Sequence, residues 1–370
     1  MSSTAQFSPG VLGNVKHVSK RLTCSYIFDW IIIVCVAAAG GVLYKIRGYQ
    51  HAFSLTDANI SYPLKPNTVS ITVVGIVAFL VPAIVILLVS LLLTDRSPSE
   101  GRPISPWRRR LWELNAGWLG LGVSLAGAFF VTSALKDLVG KPRPDLLARC
   151  DPDLSNIAAH IVGGLGQKLE EAPIIVDIGI CKTSDQATLQ DGFASFPSGH
   201  SSFSWSGLLY LTLWFSAKFS ITLPYPFSRA IHDIVLDRHS RIVSSHSGTL
   251  KRTTSRDVGA APPVYLLVLA FVPVGAALYI CASRWADYQH HGFDIISGSL
   301  IGIFFAWFGF RCYHIPVGCG DGWSWGPRSH DRALYILPGT RGGFAGSWEQ
   351  DNLLSTRNSY VDVELGPLQR

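Results

Sequence analysis

From Ile71 to Leu93 the chain reads ITVVGIVAFLVPAIVILLVSLLL, without one charged residue. A run of that length and character has no place in a small soluble core. It meets the requirement of about 20 mainly apolar residues for a helix to cross a bilayer. Five further segments share the pattern, at 26–44, 112–135, 200–217, 263–282 and 294–313. The one at 200–217 is the weakest, opening on His200, Ser201, Ser202 and Ser204 before Leu208 to Phe215. In lipid, every backbone N–H and C=O of a spanning segment must be satisfied within it, which a helix does. The expectation is an all-α integral membrane fold of six transmembrane helices. The charge content agrees: 15% of residues are charged, against about 25% in ordinary soluble domains.

The net charge of +6 does not point to nucleic acid, because the basic residues lie between apolar spans rather than in a stripe interleaved with aromatics. Seven cysteines without a CxxC pair argue against a zinc site, and no metal or other cofactor is expected. Six spans put both termini on one side, where Lys and Arg are about twice as numerous as on the other. The termini are therefore expected in the cytoplasm, with Arg108-Arg109-Arg110 between Trp107 and Trp112 as an anchor. The first 24 residues carry no apolar h-region, so the first span is expected to serve as the insertion signal. Residues 1–24 then form a cytoplasmic segment and 25–313 the membrane unit. The basic cytoplasmic loop 218–262 and the tail 314–370 read as flexible. The 136–199 segment becomes an external loop. Its Cys150 and Cys181 lie in a compartment that permits a disulfide, and Asn59-Ile-Ser61 is a formal glycosylation sequon on the same side.

Three short segments stand at the external ends of these spans: Lys136 through Arg143-Pro144, Pro197-Ser-Gly-His200, and Ser283-Arg284 followed by His290 and Asp294. Gly140, Pro142 and Pro144 should break the third helix after Lys136 and swing Arg143 into a loop. Arginine suits phosphate because its planar fork donates two hydrogen bonds at once, while lysine adds a mobile point charge. Alone, Lys136 could equally snorkel at the membrane edge, with Lys141 and Arg143 among headgroups. At Pro197–His200, backbone N–H groups opening a helix make an anion site, and Gly199 allows close approach. Ser198 supplies an N-cap hydroxyl, and His200 a proton donor of suitable ordinary pKa. An ordinary serine cap beside an interfacial histidine is the plain alternative. His290 and Asp294 are four residues apart, so on a helix the carboxylate would fix the imidazole, with His291 as a competitor for that pairing. Arg284 either joins the same phosphate or pairs with Asp287 three residues on.

Together these segments resemble the signature of the type 2 phosphatidic acid phosphatase superfamily: K-x6-R-P, P-S-G-H and S-R-x5-H-x3-D, with matching spacing and order. Phe53 to Tyr62-Pro63 looks like a further family segment, so the resemblance covers about residues 25–313. The flanks from Gly140 to Cys150 and from Gly192 to Pro197 are similar to those of fungal diacylglycerol pyrophosphate phosphatases. The resemblance implies that His290 attacks phosphorus, Asp294 orients it and His200 protonates the leaving group. It implies that Lys136, Arg143, Ser198, Gly199 and Arg284 bind the phosphoryl oxygens without a metal. The implied substrates are diacylglycerol pyrophosphate, phosphatidate or lysophosphatidate, with a sphingoid-base phosphate as the alternative. The active site is then lumenal or extracellular at the ends of helices 3–6, in a multi-pass protein of the vacuole, Golgi, endoplasmic reticulum or plasma membrane. A polytopic transporter or non-catalytic lipid binder is the competing class; a transporter predicts ionisable residues at mid-membrane, whereas here they cluster at span ends.

Overall fold

Runs of apolar side chains longer than a bilayer is thick become helices, and among the described residues of the computed structural model five are long and apolar enough to cross a membrane. They are α1 (Lys20–Leu43), α2 (Ile71–Leu92), α3 (Trp107–Val139, extended one residue earlier to Pro106), α7 (Val264–Ala286) and α8 (Gly292–Tyr313). The segment at 200–217 also folds as a helix, α6 (Gly199–Lys218), but its serines keep it from being apolar enough to belong with those five. The structure describes residues 20–93, 106–219, 221, 263–315, 324–325, 328 and 334. The 218–262 loop, the N-terminal segment and the tail fall almost wholly outside these. The chain divides into two units, 33–324 and the pair of segments 1–32 and 325–370.

Within the larger unit the usual order of hydrophobicity is reversed. The most apolar helices, α2 and α7, are mostly exposed, whereas the serine-rich α6 is mostly buried. That arrangement suits lipid outside and small or polar residues inside. Glycines set the contacts. A side chain at Gly298 or Gly302 of α8 would collide with the backbone carbonyls of Ser198 or Ser202 in α6. Hydroxyls supply cross-links: Thr132 Oγ1 donates to Ser202 Oγ (2.8 Å), Ser124 Oγ to the Ser206 carbonyl (2.8 Å) and Tyr210 to the Gly117 carbonyl (2.8 Å). Ile86, Leu121, Tyr210, Trp214 and Phe310 fill the core between them.

Two breaks in regular helix have causes in the sequence. Pro82 has no N–H for the Ala78 carbonyl four residues earlier, and a π-turn at Ile76–Leu80 takes up the register. Gly207 packs against that carbonyl, where any side chain would clash. α3 stops at Val139 because Gly140 adopts φ +57°, where a Cβ would strike the Tyr49 carbonyl.

The helices carry the fold as expected, and the loops between them add one small sheet. β1 (Phe53–Ser54), from the first inter-helix loop, pairs with β3 (Ile174–Val176), which also pairs with β2 (Ile161–Gly164), giving an antiparallel sheet in the order β1-β3-β2. Two inter-helix loops thereby fold together over Phe53, Ile60, Leu146, Val176, Leu189 and Phe193. The same subdomain holds the short helices α4 (Leu146–Cys150) and α5 (Gln186–Gly192) and a Cys150–Cys181 disulfide. At the opposite helix ends, buried Glu113 of α3 pairs with Lys218 of α6 and accepts from Ser324 Oγ (2.9 Å). In the smaller unit, Arg328 pairs with Asp29 (2.6 Å) and donates to Ser25 Oγ (2.6 Å), so at this residue the C-terminal region is tied down.

Candidate active site

The helix ends that carry the three sequence segments meet at one place. α3 delivers Lys136 in its last turn; α6 begins at Gly199 with Ser198 as its N-cap. α7 delivers Arg284, and the turn from Asp287 to His291 leads into α8. The close approach of α8 to α6 at Gly298 brings the start of one helix beside the start of the other. The Ser198 N–H donates to the Asp294 carbonyl at 2.9 Å.

His290 lies before α8 rather than on it, which corrects the expected pairing with Asp294 along one helix face. The residue is 2% exposed, and its ring Nδ1 stands 2.7 Å from the backbone carbonyl of Ser195. Asp294 instead accepts from Lys141 Nζ (2.7 Å), Ser195 Oγ (2.6 Å), and the N–H (3.1 Å) and ring Nδ1 (3.2 Å) of His291. Ser195 thus links the two, its hydroxyl on the carboxylate and its carbonyl on the imidazole. His291, the competitor, has Nδ1 on Asp294 and Nε2 on the Asn59 carbonyl (3.3 Å), so neither nitrogen is free to attack. Lys141 is an ion-pair partner rather than a headgroup contact.

The expected cations surround the two imidazoles. Lys136 Nζ donates to the Ala194 carbonyl (3.1 Å), and Lys136 and Arg143 both bear electrostatically on His290 and His200. Burial pushes the His290 pKa well below the ordinary 6.5, and Arg143 and Lys136 push it the same way. His290 is therefore neutral. His200 hydrogen-bonds the backbone of Val69, and its Nε2 is buried with no partner among the described residues. Arg284 is fully buried and makes the alternative pairing with Asp287 (2.8 Å), together with bonds to Asn67 Oδ1 (2.9 Å) and Ser283 Oγ (3.2 Å). Those three bonds leave two of its five N–H donors. Ser198 accepts from the Ser201 N–H (3.4 Å) and hydroxyl (3.0 Å), which makes it the helix cap; its own O–H still has a proton to give.

Gly199 has no steric partner that demands glycine. A Cβ there would meet only Lys136 Cε at 3.7 Å and Thr132 Cγ2 at 3.9 Å, ordinary contacts.

Several participants carry no sequence signal strong enough to select them. Gln289 accepts from Arg143 Nη1 (2.5 Å), Asp191 from Arg143 Nη2 (2.7 Å), and both also accept from Arg149. Burial pushes Asp191 up, but Arg143, Lys136 and Arg149 outweigh it and hold the carboxyl below its usual range. Ser195 and Arg149 lie in the flanking segments that resemble those of fungal phosphatases, the one signal the sequence carries for them. Beside these residues opens a cavity of about 400 Å³, walled by Leu64 to Asn67 on one side and by Arg149, Asp191 and Gln289 on the other. No cluster of metal-ligating side chains occurs among the described residues. The site as built gathers three cations around one neutral imidazole and one imidazole nitrogen that has no partner among the described residues.

Residues 117–316 match the family described as the PAP2 superfamily. The chain is 27% identical to "Diacylglycerol pyrophosphate phosphatase 1" of Saccharomyces cerevisiae over 78% of its length and 80% of that protein. It is 25% identical to "Probable lipid phosphate phosphatase 4" of Arabidopsis thaliana over 87% of its length and 82% of that protein. It is 27% identical to "Probable diacylglycerol pyrophosphate phosphatase 1" of Schizosaccharomyces pombe, over 82% and 85%. No solved structure gives a significant match.

Proposed function

The chain belongs to the PAP2 superfamily, and on that premise we propose that it is an integral-membrane lipid phosphatase that works through a phosphohistidine. Its substrates are diacylglycerol pyrophosphate or phosphatidate, in keeping with the names of relatives, or the chemically similar lysophosphatidate. The observation that carries the reading is the 2.7 Å contact between His290 Nδ1 and the Ser195 carbonyl. A carbonyl only accepts, so Nδ1 holds the proton and Nε2 keeps its lone pair, the form a nucleophile needs.

Attack by Nε2 forms the P–N bond as the P–O bond to the leaving group breaks. His200, protonated beside the bound anion, gives its proton to the departing oxygen. Water then attacks the phosphohistidine while His200 takes a proton from it, and phosphate leaves with His290 restored. Lys136, Arg143 and Arg284, with the Ser198 hydroxyl and the Gly199 N–H, hold the equatorial oxygens. Asp294 positions the nucleophile through Ser195. Three cations take the charge-offsetting part that Mg²⁺ plays in many phosphoryl transfers, so turnover needs no added metal.

In this reading α6 is a sixth span, enclosed by more apolar helices, and residues 25–313 form the catalytic membrane unit. Both termini are cytoplasmic and the site faces the lumen or the cell exterior, of an endomembrane or of the plasma membrane. Acyl chains stay in lipid while the headgroup reaches the helix ends. The test is phosphate release from a panel of these lipids and a sphingoid-base phosphate, in detergent with excess chelator, for the parent and His290→Ala. Activity in chelator that His290→Ala abolishes is expected. Activity that appears only on adding Mg²⁺, or that survives in the variant, ends this mechanism.

A further inference from the structure

Two arginines in this site share two acceptors. Arg143 donates through Nη1 to Gln289 Oε1 (2.5 Å) and through Nη2 to Asp191 Oδ1 (2.7 Å). Arg149 donates through Nη2 to the same Gln289 oxygen (3.0 Å) and through Nη1 to Asp191 Oδ2 (2.9 Å). Arg149 is itself gripped by Asp145, with Nε at 2.9 Å and Nη2 at 2.8 Å, and reaches the Thr188 carbonyl with Nη1 at 3.5 Å. Gln289 closes the ring by donating to Asp145 Oδ2 at 3.4 Å.

The donor inventory separates the two. A guanidinium has five N–H donors. All five of Arg149 are engaged within the protein, so it has none to offer a phosphate. Arg143 uses two, and its Nε is buried with no partner among the described residues. Arg143, Arg149, Asp145 and Gln289 are each at most 8% exposed. Arg149 and Asp145 cancel in charge, so Arg149 contributes orientation rather than added attraction for an anion. It also has a firm base: α4, which carries Arg149, is anchored by buried Leu146 and by the Cys150–Cys181 disulfide. Gln289 directly precedes His290, so the residue that orients the Arg143 fork also sits on the backbone of the nucleophile.

We propose that Arg149 is a positioning residue that fixes the phosphate-binding guanidinium of Arg143 through Gln289 and Asp191. This rests on the reading that Arg143 binds the transferred phosphoryl group. Donors placed for the transition state act on turnover more than on substrate binding, and a misplacement near 1 Å costs about a hundredfold.

The test compares Arg149→Lys, Gln289→Ala and their double variant with Arg143→Ala in purified full-length protein. It reads kcat, KM, inhibition by orthovanadate and thermal unfolding. Arg149→Lys and Gln289→Ala are expected to lose about tenfold or more in kcat with KM changed by less than about threefold. Vanadate inhibition should weaken in parallel, unfolding should be near that of the parent, and the double variant should be little worse than the poorer single one. Parental kcat and vanadate inhibition in both singles, beside an inactive Arg143→Ala, overturns the positioning role alone. An Arg143→Ala protein of parental activity overturns the site reading and this proposal with it. If Arg149→Lys does not fold, Gln289→Ala decides: loss of kcat in the folded protein supports the role, and parental kcat refutes it.

Discussion

The imidazole of His290 hangs from the backbone carbonyl of Ser195, 2.7 Å from its Nδ1. The side chain of that same serine donates to Asp294 at 2.6 Å. Asp294 therefore reaches the imidazole proposed as nucleophile at one remove, through a single serine.

This relay has a kinetic signature. Where an aspartate touches a catalytic histidine directly, its amide replacement costs about 10⁴ in kcat. Here Asp294→Asn leaves the Ser195 carbonyl in place, and a smaller loss of about 10- to 100-fold is expected, with Ser195→Ala costing about tenfold. Single-turnover phosphate release measures both. A loss near 10⁴ for Asp294→Asn with parental Ser195→Ala would mean that a direct Asp294–His290 contact forms on substrate binding.

Gly199→Ala separates folding from binding. Its Cβ would meet nothing closer than 3.7 Å, and alanine in a helix is preferred over glycine by up to about 1 kcal/mol. The variant should melt at or slightly above the parental temperature. A phosphoryl oxygen at the helix start would meet the new methyl group, so orthovanadate inhibition should weaken about tenfold or more. Parental inhibition would show that the anion does not approach this amide.

Gly298→Ala is expected to do the opposite. Its Cβ would run into the Ser198 carbonyl, forcing α8 away from α6. Overpacking of this kind typically costs about 1–3 kcal/mol. Thermal unfolding should register that loss, with activity falling alongside. An unshifted melting temperature would contradict the packing described.

Two buried histidines outside the helices set a dependence on pH. His290 titrates well below 6.5 because of burial, reinforced by Arg143 and Lys136. His314, fully buried against Phe310, is lowered to about 3 by burial and by Lys218. As pH falls through 6.5, the unfolded chain takes up protons that the folded imidazoles refuse, so the unfolded state is favoured. Stability should drop by about 1.4 kcal/mol per pH unit for each histidine below that point. Melting temperatures from pH 7.5 to 5.5 measure it, and His314→Gln should flatten the slope. A melting temperature indifferent to pH, or rising on acidification, refutes this. The His290 imidazole itself should stay neutral over the same range.

Much of the fold follows from lengths and local chemistry. The apolar runs, the break after Lys136 at Gly140 and the Ser198 cap are each dictated by a few adjacent residues, and all are present. The helices run a few residues beyond the apolar runs, most at α3, which takes in Arg108 to Arg110. The disulfide was legible only as a possibility. The pairing of Phe53–Ser54 with Ile175–Val176 left no trace, since strands of two or three residues have too short a period to read.

The division within the site has a physical cause. The chain by itself determined which chemical groups are available, because cations, imidazoles and small residues at set spacings beside apolar runs are properties of side-chain type. Tertiary structure decided the partners: Ser195 rather than Asp294 beneath His290, Asp287 beside Arg284, and Arg149 behind Arg143. A backbone carbonyl has no side-chain identity to read, and which donor reaches which acceptor depends on how closely glycine lets two helices approach.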